Sequence, residues 1–306
     1  MPLPTIFEDK LTVPVIAAPM FLVSDPGLVI AACKAGVVGT FPAPNVRTIE
    51  ELDQWLAQIT EELDAYQSVN PEKKVAPFAV NLIVHVGNDR LDEELALCEK
   101  YKVKFVITSV GNPANAVERL HESGIVVFHD VISIKHAHKA IEAGVDGLIL
   151  VCAGAGGHTG TLNPFAYMSQ VREFWDGPIV LSGAIGDGRA VKAAEILGAD
   201  FAYMGTRFIA TEEAQVKSEY KDILVDSNAD DTVLTNQFSG MNANFLTKSI
   251  ASVGIDPTNI TPDAIQESGV FAWKDIWSGG QGIGTIHDLP SVAELVERLE
   301  LEYKAV

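Results

Sequence analysis

The stretch PIVLSGAIGDGRAVKAAEILGADFAYMGTRF, residues 178–208, contains the pattern that decides the fold. Two apolar runs, residues 178–181 and 201–204, flank a helical segment, and a glycine follows each run within two residues. Continuous apolar runs are typical of parallel strands that are buried on both faces. Closed (β/α)8 barrels build phosphate sites in the turns after strands seven and eight. The two glycine turns therefore favour a barrel in which these runs are the last two strands.

The same strand–helix unit repeats along the N-terminal part of the chain. Several helical segments end at a glycine just before the next strand, where glycine supplies a left-handed cap. The first strand runs into Ala18-Pro19-Met20 and not into a GxGxxG turn, which argues against an open doubly wound sheet. We therefore predict an α/β fold, a (β/α)8 TIM barrel. The other six predicted strands are residues 13–17, 37–41, 77–83, 104–109, 125–130 and 147–151.

The pattern changes after the eighth strand. Residues 211–277 begin with an acidic stretch, contain no good strand run, and include helical segments at 242–253 and 262–268. We expect a helical lobe over 211–277 that covers the active-site side. Residues 1–210 and 278–306, which end in a helix over 291–302, then form the barrel.

The composition argues against several classes of partner. The 306-residue chain has 41 acidic and 22 basic residues, and its formal charge of −19 disfavours nucleic acid and anionic lipid. No apolar run reaches the roughly 18 residues that a membrane span needs, and the N-terminus lacks a signal-peptide pattern. Three widely spaced cysteines and no Cys/His metal spacing favour a reduced setting. We expect a cytoplasmic protein with no membrane, nucleic-acid or metal partner.

Two of the glycine turns predict a phosphate site. Ser182-Gly183 begins the turn after the seventh strand, and Gly205-Thr206 follows the eighth strand. Small residues let backbone N–H groups approach an anion, and the helix after the first turn offers its positive N-terminus. Neither turn matches the Walker pattern or GxGxxG. Ordinary tight turns between a strand and a helix are the alternative interpretation.

A third glycine-rich segment, residues 154–160, places His158 after the sixth strand. Catalytic residues of barrels lie at the carboxyl ends of strands, and the near-neutral pKa of histidine suits a general base or a hydrogen-bond donor. Gly156 and Gly157 leave space for a substrate beside this histidine. The alternative is a loop histidine that only caps backbone groups.

Three further positions lie at strand ends on the same predicted face. Asn81 closes the third strand, and its amide can read the donors and acceptors of a flat ring or cap a turn. His129 ends the fifth strand, where it lines the mouth or has a structural role held by Asp130. Ala18-Pro19-Met20 either packs beneath an aromatic cofactor or fills the core.

Together these motifs resemble the nitronate monooxygenase family, formerly called 2-nitropropane dioxygenases, over most of the chain. The late loop 278–286, which contains Gln281, is also similar. The ordered series of motifs is more specific than any single one. The segments that carry the resemblance are Ala17-Ala18-Pro19-Met20 with Val23-Ser24, Ala35-Gly36 with Gly39, Asn81-Leu82, Ala155-Gly156-Gly157-His158-Thr159-Gly160, Ser182-Gly183 with Gly186-Asp187-Gly188-Arg189, and Gly198-Ala199-Asp200 with Met204-Gly205-Thr206-Arg207-Phe208.

The resemblance implies an FMN-dependent barrel enzyme. The FMN phosphate would lie on Ser182-Gly183 and Gly205-Thr206, and the ring would lie against Ala18-Pro19-Met20 with a hydrogen bond to Asn81. His158 matches the active-site histidine of the family. The implied reaction is oxidation of an alkyl nitronate or nitroalkane with O2, which yields a carbonyl compound and nitrite.

Two other functions stay open. Relatives with the same fold and glycine–histidine motif include FMN-dependent, NAD(P)H-oxidising reductases of enoyl thioesters (the enoyl-ACP reductase type) or quinones. Gly154 stands where the family often has an acidic residue, which leaves the branch of the family open. A non-catalytic sensor of a phosphate ligand is the third possibility, because fold alone does not fix function. The sequence also leaves the oligomeric state open, a homo-oligomer included.

Overall fold

Eight parallel strands close into a barrel in the computed structural model, which describes residues 2–306. In chain order the strands are β1 (Val15–Ala17), β2 (Val38–Pro42), β3 (Ala79–Ile83), β4 (Phe105–Ser109), β5 (Val126–Val131), β6 (Gly147–Val151), β7 (Gly157–His158), β8 (Ile179–Ser182), β9 (Phe201–Met204), β10 (Thr232–Thr235) and β11 (Ala243–Leu246). The barrel order is β1-β2-β3-β4-β5-β6-β8-β9, so the predicted (β/α)8 TIM barrel is confirmed.

Helices cover the outside of the barrel, and the predicted glycine caps are present. Asp25 caps the first helix by accepting a hydrogen bond from the backbone N–H of Leu28 at 2.9 Å. Gly36, at φ 84°, ends that helix in the left-handed conformation. The α-helices are α1 (Pro26–Ala35), α2 (Ile49–Val69), α3 (Leu91–Lys100), α4 (Ala114–Glu122), α5 (Ile134–Glu142), α6 (Pro164–Arg172), α7 (Gly188–Ile196), α8 (Thr206–Ile209), α9 (Ser218–Val225), α10 (Thr247–Ser252), α11 (Pro262–Ser268) and α12 (Val292–Lys304).

The barrel interior is a packed apolar core and not a pore. Successive strand residues face opposite sides of the sheet, so every second residue points inward. Phe7 precedes β1 and closes the amino-terminal end, where its ring centroid lies 5.3 Å from that of Phe105 and 4.9 Å from that of Phe201. Phe128 and Ile149 belong to the same buried cluster. Ligand access is therefore confined to the carboxyl end of the strands.

The prediction that residues 211–277 contain no strand was wrong. The segment predicted as one helix over 242–253 is β11 followed by α10, and β10 lies before it. β11 pairs antiparallel with β10 on one side and with β7 on the other. The β7 partner lies about 85 residues earlier, at His158, and a local helical pattern carries no information about it. The helix over 262–268 is present as α11; the domain division itself stays a prediction.

A hydropathy criterion applied to the helices within residues 2–306 identifies none that is long and apolar enough to span a bilayer.

We expect Phe7→Ala to lower the free energy of unfolding by about 3–5 kcal/mol, because it leaves a cavity among packed aromatic rings. Phe165→Ala is the matched control, since Phe165 is 63% exposed, and it should change stability by about 0.5 kcal/mol or less. Chemical denaturation followed by circular dichroism measures both. An equal loss of unfolding free energy in the two variants would contradict the inference that Phe7 closes the amino-terminal end of the barrel.

Candidate active site

A large cavity, with a volume of about 1430 Å³, opens at the carboxyl ends of the barrel strands. Every residue that the sequence singled out for a site lines it, although they come from segments up to 188 residues apart (Ala18 to Thr206). The structure thus brings the predicted residues together; their individual roles stay predictions. They are Ala18, Pro19, Met20, Asn81, His129, Gly156, Gly157, His158, Ser182, Gly183, Gly205 and Thr206.

The floor of this cavity is the last inward-facing layer of the barrel. Below it, the inward residues are apolar and fully buried, as at Ile107, Phe128 and Phe201. Two positions further along β4, β5 and β9 the side chains become polar. The floor therefore carries hydrogen-bonding groups on a rigid base. The polar floor residues are Asn81, Ser109, Asp130, Ser182 and Tyr203, and all of them line the cavity.

A chain of hydrogen bonds crosses the floor from β3 to β5. The Asn81 Nδ2 group donates to Ser109 Oγ at 2.7 Å and also to the backbone oxygen of Ile107 at 3.2 Å. Ser109 Oγ donates in turn to Asp130 Oδ2 at 2.5 Å. Each side chain is therefore fixed by its neighbour before any ligand binds.

Two polar atoms of the floor are buried without a hydrogen-bond partner among residues 2–306. These atoms are Asp130 Oδ1 and the Tyr203 hydroxyl. Burial raises the pKa of Asp130 to about 7, against a smaller lowering by the bond from Ser109. Burial, followed by the nearby Asp130 charge, raises the pKa of Tyr203 well above its usual range. Buried polar atoms are normally satisfied, so this pair indicates a ligand-binding position.

His129 lies at the cavity edge but is not held by Asp130, so that structural alternative is wrong. Adjacent strand residues point to opposite faces, and Asp130 takes the inward direction. His129 Nδ1 lies 2.8 Å from Thr108 Oγ1, on the other face of the sheet. Burial and the nearby His136 lower the pKa of His129 to about 4, so this imidazole is neutral at pH 7.

The loop that carries His158 is fixed by the segment after the barrel. His158 pairs with Ala243 and Gly157 with Asn244 in the β7–β11 ladder. The buried Asn244 side chain donates to the backbone oxygen of Ala155 at 2.7 Å. Thr159 Oγ1 donates to the backbone oxygen of Cys152 at 2.7 Å, which fastens the loop to the end of β6. These contacts hold His158 at the wall of the cavity.

His158 is open to the cavity and has one polar and one aromatic neighbour. Its Nε2 atom lies 3.2 Å from Ser239 Oγ. Its ring meets the Trp273 ring edge-to-face, with centroids 4.8 Å apart. Desolvation by these surroundings lowers the pKa of His158 below its ordinary value of 6.5. The neutral imidazole is therefore the dominant form at neutral pH, which suits a proton acceptor.

The glycine turns approach the cavity where no larger residue fits. Gly183 has φ +122°, and a Cβ atom there would lie 2.8 Å from the backbone oxygen of Ala153. A Cβ atom on Gly156 would lie 2.8 Å from the backbone nitrogen of Gly280. That nitrogen donates to Thr206 Oγ1 at 2.9 Å, which joins the turn after β9 to the late loop.

The expectation that the helix after the seventh barrel strand offers a free N-terminus was wrong. This helix is α7, and its first turn is already occupied by two carboxylates. Asp187 accepts from the backbone N–H of Ala190 at 2.8 Å, and Glu302 of α12 accepts from that of Gly188 at 2.8 Å. A phosphate in this cavity therefore depends on Ser182-Gly183 and Gly205-Thr206.

Sequence reasoning missed three cavity residues. Asp130 and Tyr203 were detectable, because strand alternation from the apolar Phe128 and Phe201 points both of them inward. Trp273 has no such signal, since an irregular segment carries it. Its backbone φ of 63° is unusual for a bulky residue, and it also meets Phe21 edge-to-face across the cavity at 6.3 Å. Trp273 and Phe21 thus flank the cavity entrance with aromatic surface.

Across residues 2–306, no three His, Cys, Asp or Glu side chains are grouped so that they could hold a metal ion.

Comparison with known proteins gives consistent results. The family model described as “Nitronate monooxygenase” matches residues 5–302. A nitronate monooxygenase of Paraburkholderia phytofirmans is 26% identical in an alignment 359 positions long, which covers 99% of this chain and 94% of that protein. The structure of FabK from Thermotoga maritima superimposes with a TM-score of 0.80 at 26% identity and covers 98% of this chain and 95% of FabK. Nitroalkane oxidase from Streptomyces ansochromogenes gives a TM-score of 0.80 at 25% identity, with 98% of each chain covered.

Stability should depend on the titration of Asp130. Its pKa of about 7 in the folded protein lies above the ordinary 3.8, so the folded state binds the extra proton between these values. Stability therefore falls as the pH rises from about 4 to 7 and then levels off. At about 1.4 kcal/mol per pKa unit, this loss is on the order of 4 kcal/mol.

Asp130→Asn removes that titration, and it should be more stable than the unmodified chain at pH 8 but not at pH 4.5. Urea denaturation at the two pH values measures the difference. The exposed Asp263→Asn is the control for loss of one negative charge. A constant difference between Asp130→Asn and the unmodified chain across this range would show that Asp130 titrates normally.

Proposed function

Because the chain belongs to the nitronate monooxygenase family, we propose that it oxidises alkyl nitronates with O2, with FMN as cofactor, to a carbonyl compound and nitrite. The family makes the chain a flavin-dependent oxidoreductase that acts on a small molecule. The choice of FMN and of nitronate is our proposal. The observation that carries it is that the family match spans residues 5–302 and that the predicted site residues from its motifs line one cavity.

The residues of the cavity fit a flavin. Gly156 and Gly183 line the cavity without side chains, so their backbone is open to a bound phosphate. Ser182 and Thr206 add hydroxyl groups at the same end. Ala18-Pro19-Met20 supplies small and apolar surface for a flat ring. The volume exceeds that of ordinary small-molecule pockets, which leaves room for a cofactor and a substrate together.

His158 is the residue to which we assign substrate chemistry. The Ser239 hydroxyl donates to the backbone oxygen of Met241, so the neutral imidazole keeps its proton on Nε2 and can accept the α-proton of a nitroalkane at Nδ1. Once protonated, Nδ1–H can donate a hydrogen bond to a nitronate oxygen. Ser239 fixes the ring by its contact with Nε2. When bound, a flavin supplies the acceptor for the substrate's electrons and passes them to O2. Trp273 and Phe21 add apolar surface to the same space.

An NAD(P)H-dependent flavin reductase of an enoyl thioester or quinone is the second candidate function. The likeness to FabK, whose TM-score equals that of the nitroalkane oxidase, favours it. The two functions differ in the electron donor, so the donor is the property to test.

We expect a nitronate, and neither NADH nor NADPH, to bleach the visible band of the flavin-loaded protein without oxygen. Anaerobic stopped-flow absorbance measures this directly. Admission of air should then restore the band and release nitrite. Rapid bleaching by NADH or NADPH would transfer the assignment to the reductase, and a protein that stays colourless after FMN reconstitution would exclude both functions.

His158→Ala should lower turnover of a neutral nitroalkane by roughly 10²-fold or more, the usual contribution of a general base, while the flavin stays bound. The exposed His287→Ala is the matched control and should keep full turnover. Oxygen consumption and the flavin absorbance of the purified variants give the two readouts. Unchanged turnover in His158→Ala would refute the assignment.

A further inference from the structure

The proposed chemistry gives no task to two buried groups of the polar floor. Asp130 Oδ1 and the Tyr203 hydroxyl are buried, unpartnered among the described residues, and adjacent to the cavity. They lie on barrel strands, whereas His158 is carried by a loop that the β10–β11 segment holds. A cavity with two differently built walls can bind two molecules between them, and Asp130 and Tyr203 are the floor groups that have no assigned ligand.

The hydrogen-bond directions on the floor determine what it offers. Both hydrogens of the Asn81 amide are donated within the protein, so its Oδ1 atom is left as an acceptor. Ser109 donates to Asp130 Oδ2, so the carboxyl proton belongs on Oδ1. The Tyr203 hydroxyl adds a second O–H donor. The floor therefore presents one acceptor and two donors, all of them neutral groups.

This set complements the pyrimidine edge of an isoalloxazine ring, on which an N–H donor stands between two carbonyl acceptors. A nitronate offers only oxygen acceptors and would leave the Asn81 oxygen unsatisfied. The two turns proposed for the phosphate follow β8 and β9, and Ala18 and Asn81 continue the same rim at β1 and β3. The floor is thus assigned to the cofactor and not to the substrate.

We propose that Asp130, positioned by Ser109, donates a hydrogen bond from Oδ1 to the ring of the bound flavin, and that the loss of its proton lowers the flavin's reduction potential. This inference rests on the proposed function, because it requires a bound flavin. Asp130 is a positioning residue in this role: it transfers no electrons, and the substrate supplies both electrons of the reduction. A neutral carboxyl tolerates the negative charge that reduction adds to the ring, whereas a carboxylate repels it.

The ionisable groups next to Asp130 are neutral, so the charge at this position of the floor depends on whether Asp130 is protonated. β4 contributes Ser109 and β9 contributes Tyr203, whose pKa is raised so far that it stays neutral. His129, its neighbour on β5, contacts Thr108 on the other face and is itself neutral. Within residues 2–306, no cation forms an ion pair with Asp130. Burial raises its pKa to about 7, so the carboxyl changes charge within the working range of pH.

The test compares the flavin midpoint potential of the FMN-loaded protein with that of Asp130→Asn between pH 5.5 and 9. Asparagine keeps the shape of the aspartic acid side chain and a hydrogen-bond donor, but it cannot ionise. We expect equal potentials below pH 6 and a lower potential in the unmodified protein above pH 7.5. Tyr203→Phe is the control, because it removes a floor hydroxyl but leaves the titration: it should keep the wild-type pH dependence and bind FMN more weakly.

A second measurement needs no variant and no turnover. FMN binding to the unmodified apoprotein, followed by flavin fluorescence, should weaken roughly tenfold between pH 6 and pH 8.5, the effect of one lost buried hydrogen bond. Parallel potential curves for the unmodified protein and Asp130→Asn, or an FMN affinity without a change near pH 7, overturn the inference and leave the proposed function intact. A protein that binds no FMN at either pH overturns both.

Discussion

The antiparallel pairing of β11 with β7 is the contact on which the site depends. A two-residue strand such as β7 has no stability alone, and a closed barrel has no free edge to which it could add. β11 supplies the missing partner, and Asn244 adds a buried bond to Ala155. His158 therefore has a fixed position only when the segment after the barrel is folded. That segment is a structural part of the cavity, and the barrel alone would present the floor without its opposite wall.

Desolvation favours the neutral form of the ionisable side chains on both walls of the cavity. It lowers the pKa of His158 on one wall and raises the pKa of Asp130 on the other. The chain has a formal charge of −19, which on its own would repel an anionic substrate. A protonated Asp130 removes a negative charge from the floor, and Lys139 at the cavity edge contributes a positive one. Neutral walls thus reconcile an acidic protein with the nitronate that we propose as its substrate.

The parts of the structure that follow from local sequence were predictable, and the parts that depend on distant partners were not. Apolar runs and glycine caps are local, so the barrel strands and helix ends such as Gly36 appear close to their predicted places. β11 pairs on one side with residues 157–158, about 85 residues earlier in the chain, which no local pattern reveals. The carboxylate of Glu302 closes the N-terminus of α7 across 114 residues. Strand alternation predicts that Asp130 points into the barrel, whereas the sequence analysis placed its neighbour His129 at the mouth.

Gly154, which stands where the family often has an acidic residue, is hydrogen-bonded to the late loop at Gln281. The backbone oxygen of Gly154 accepts from the N–H groups of Gln281 and Ala184, and a Cβ atom there would lie 2.9 Å from Gln281 Oε1. Its φ of +88° disfavours any side chain. An acidic residue at this position would therefore require both a different backbone and a displaced Gln281. The glycine and the late loop form one unit, and the ionisable carboxyl that this chain places in the cavity floor is carried by β5, at Asp130.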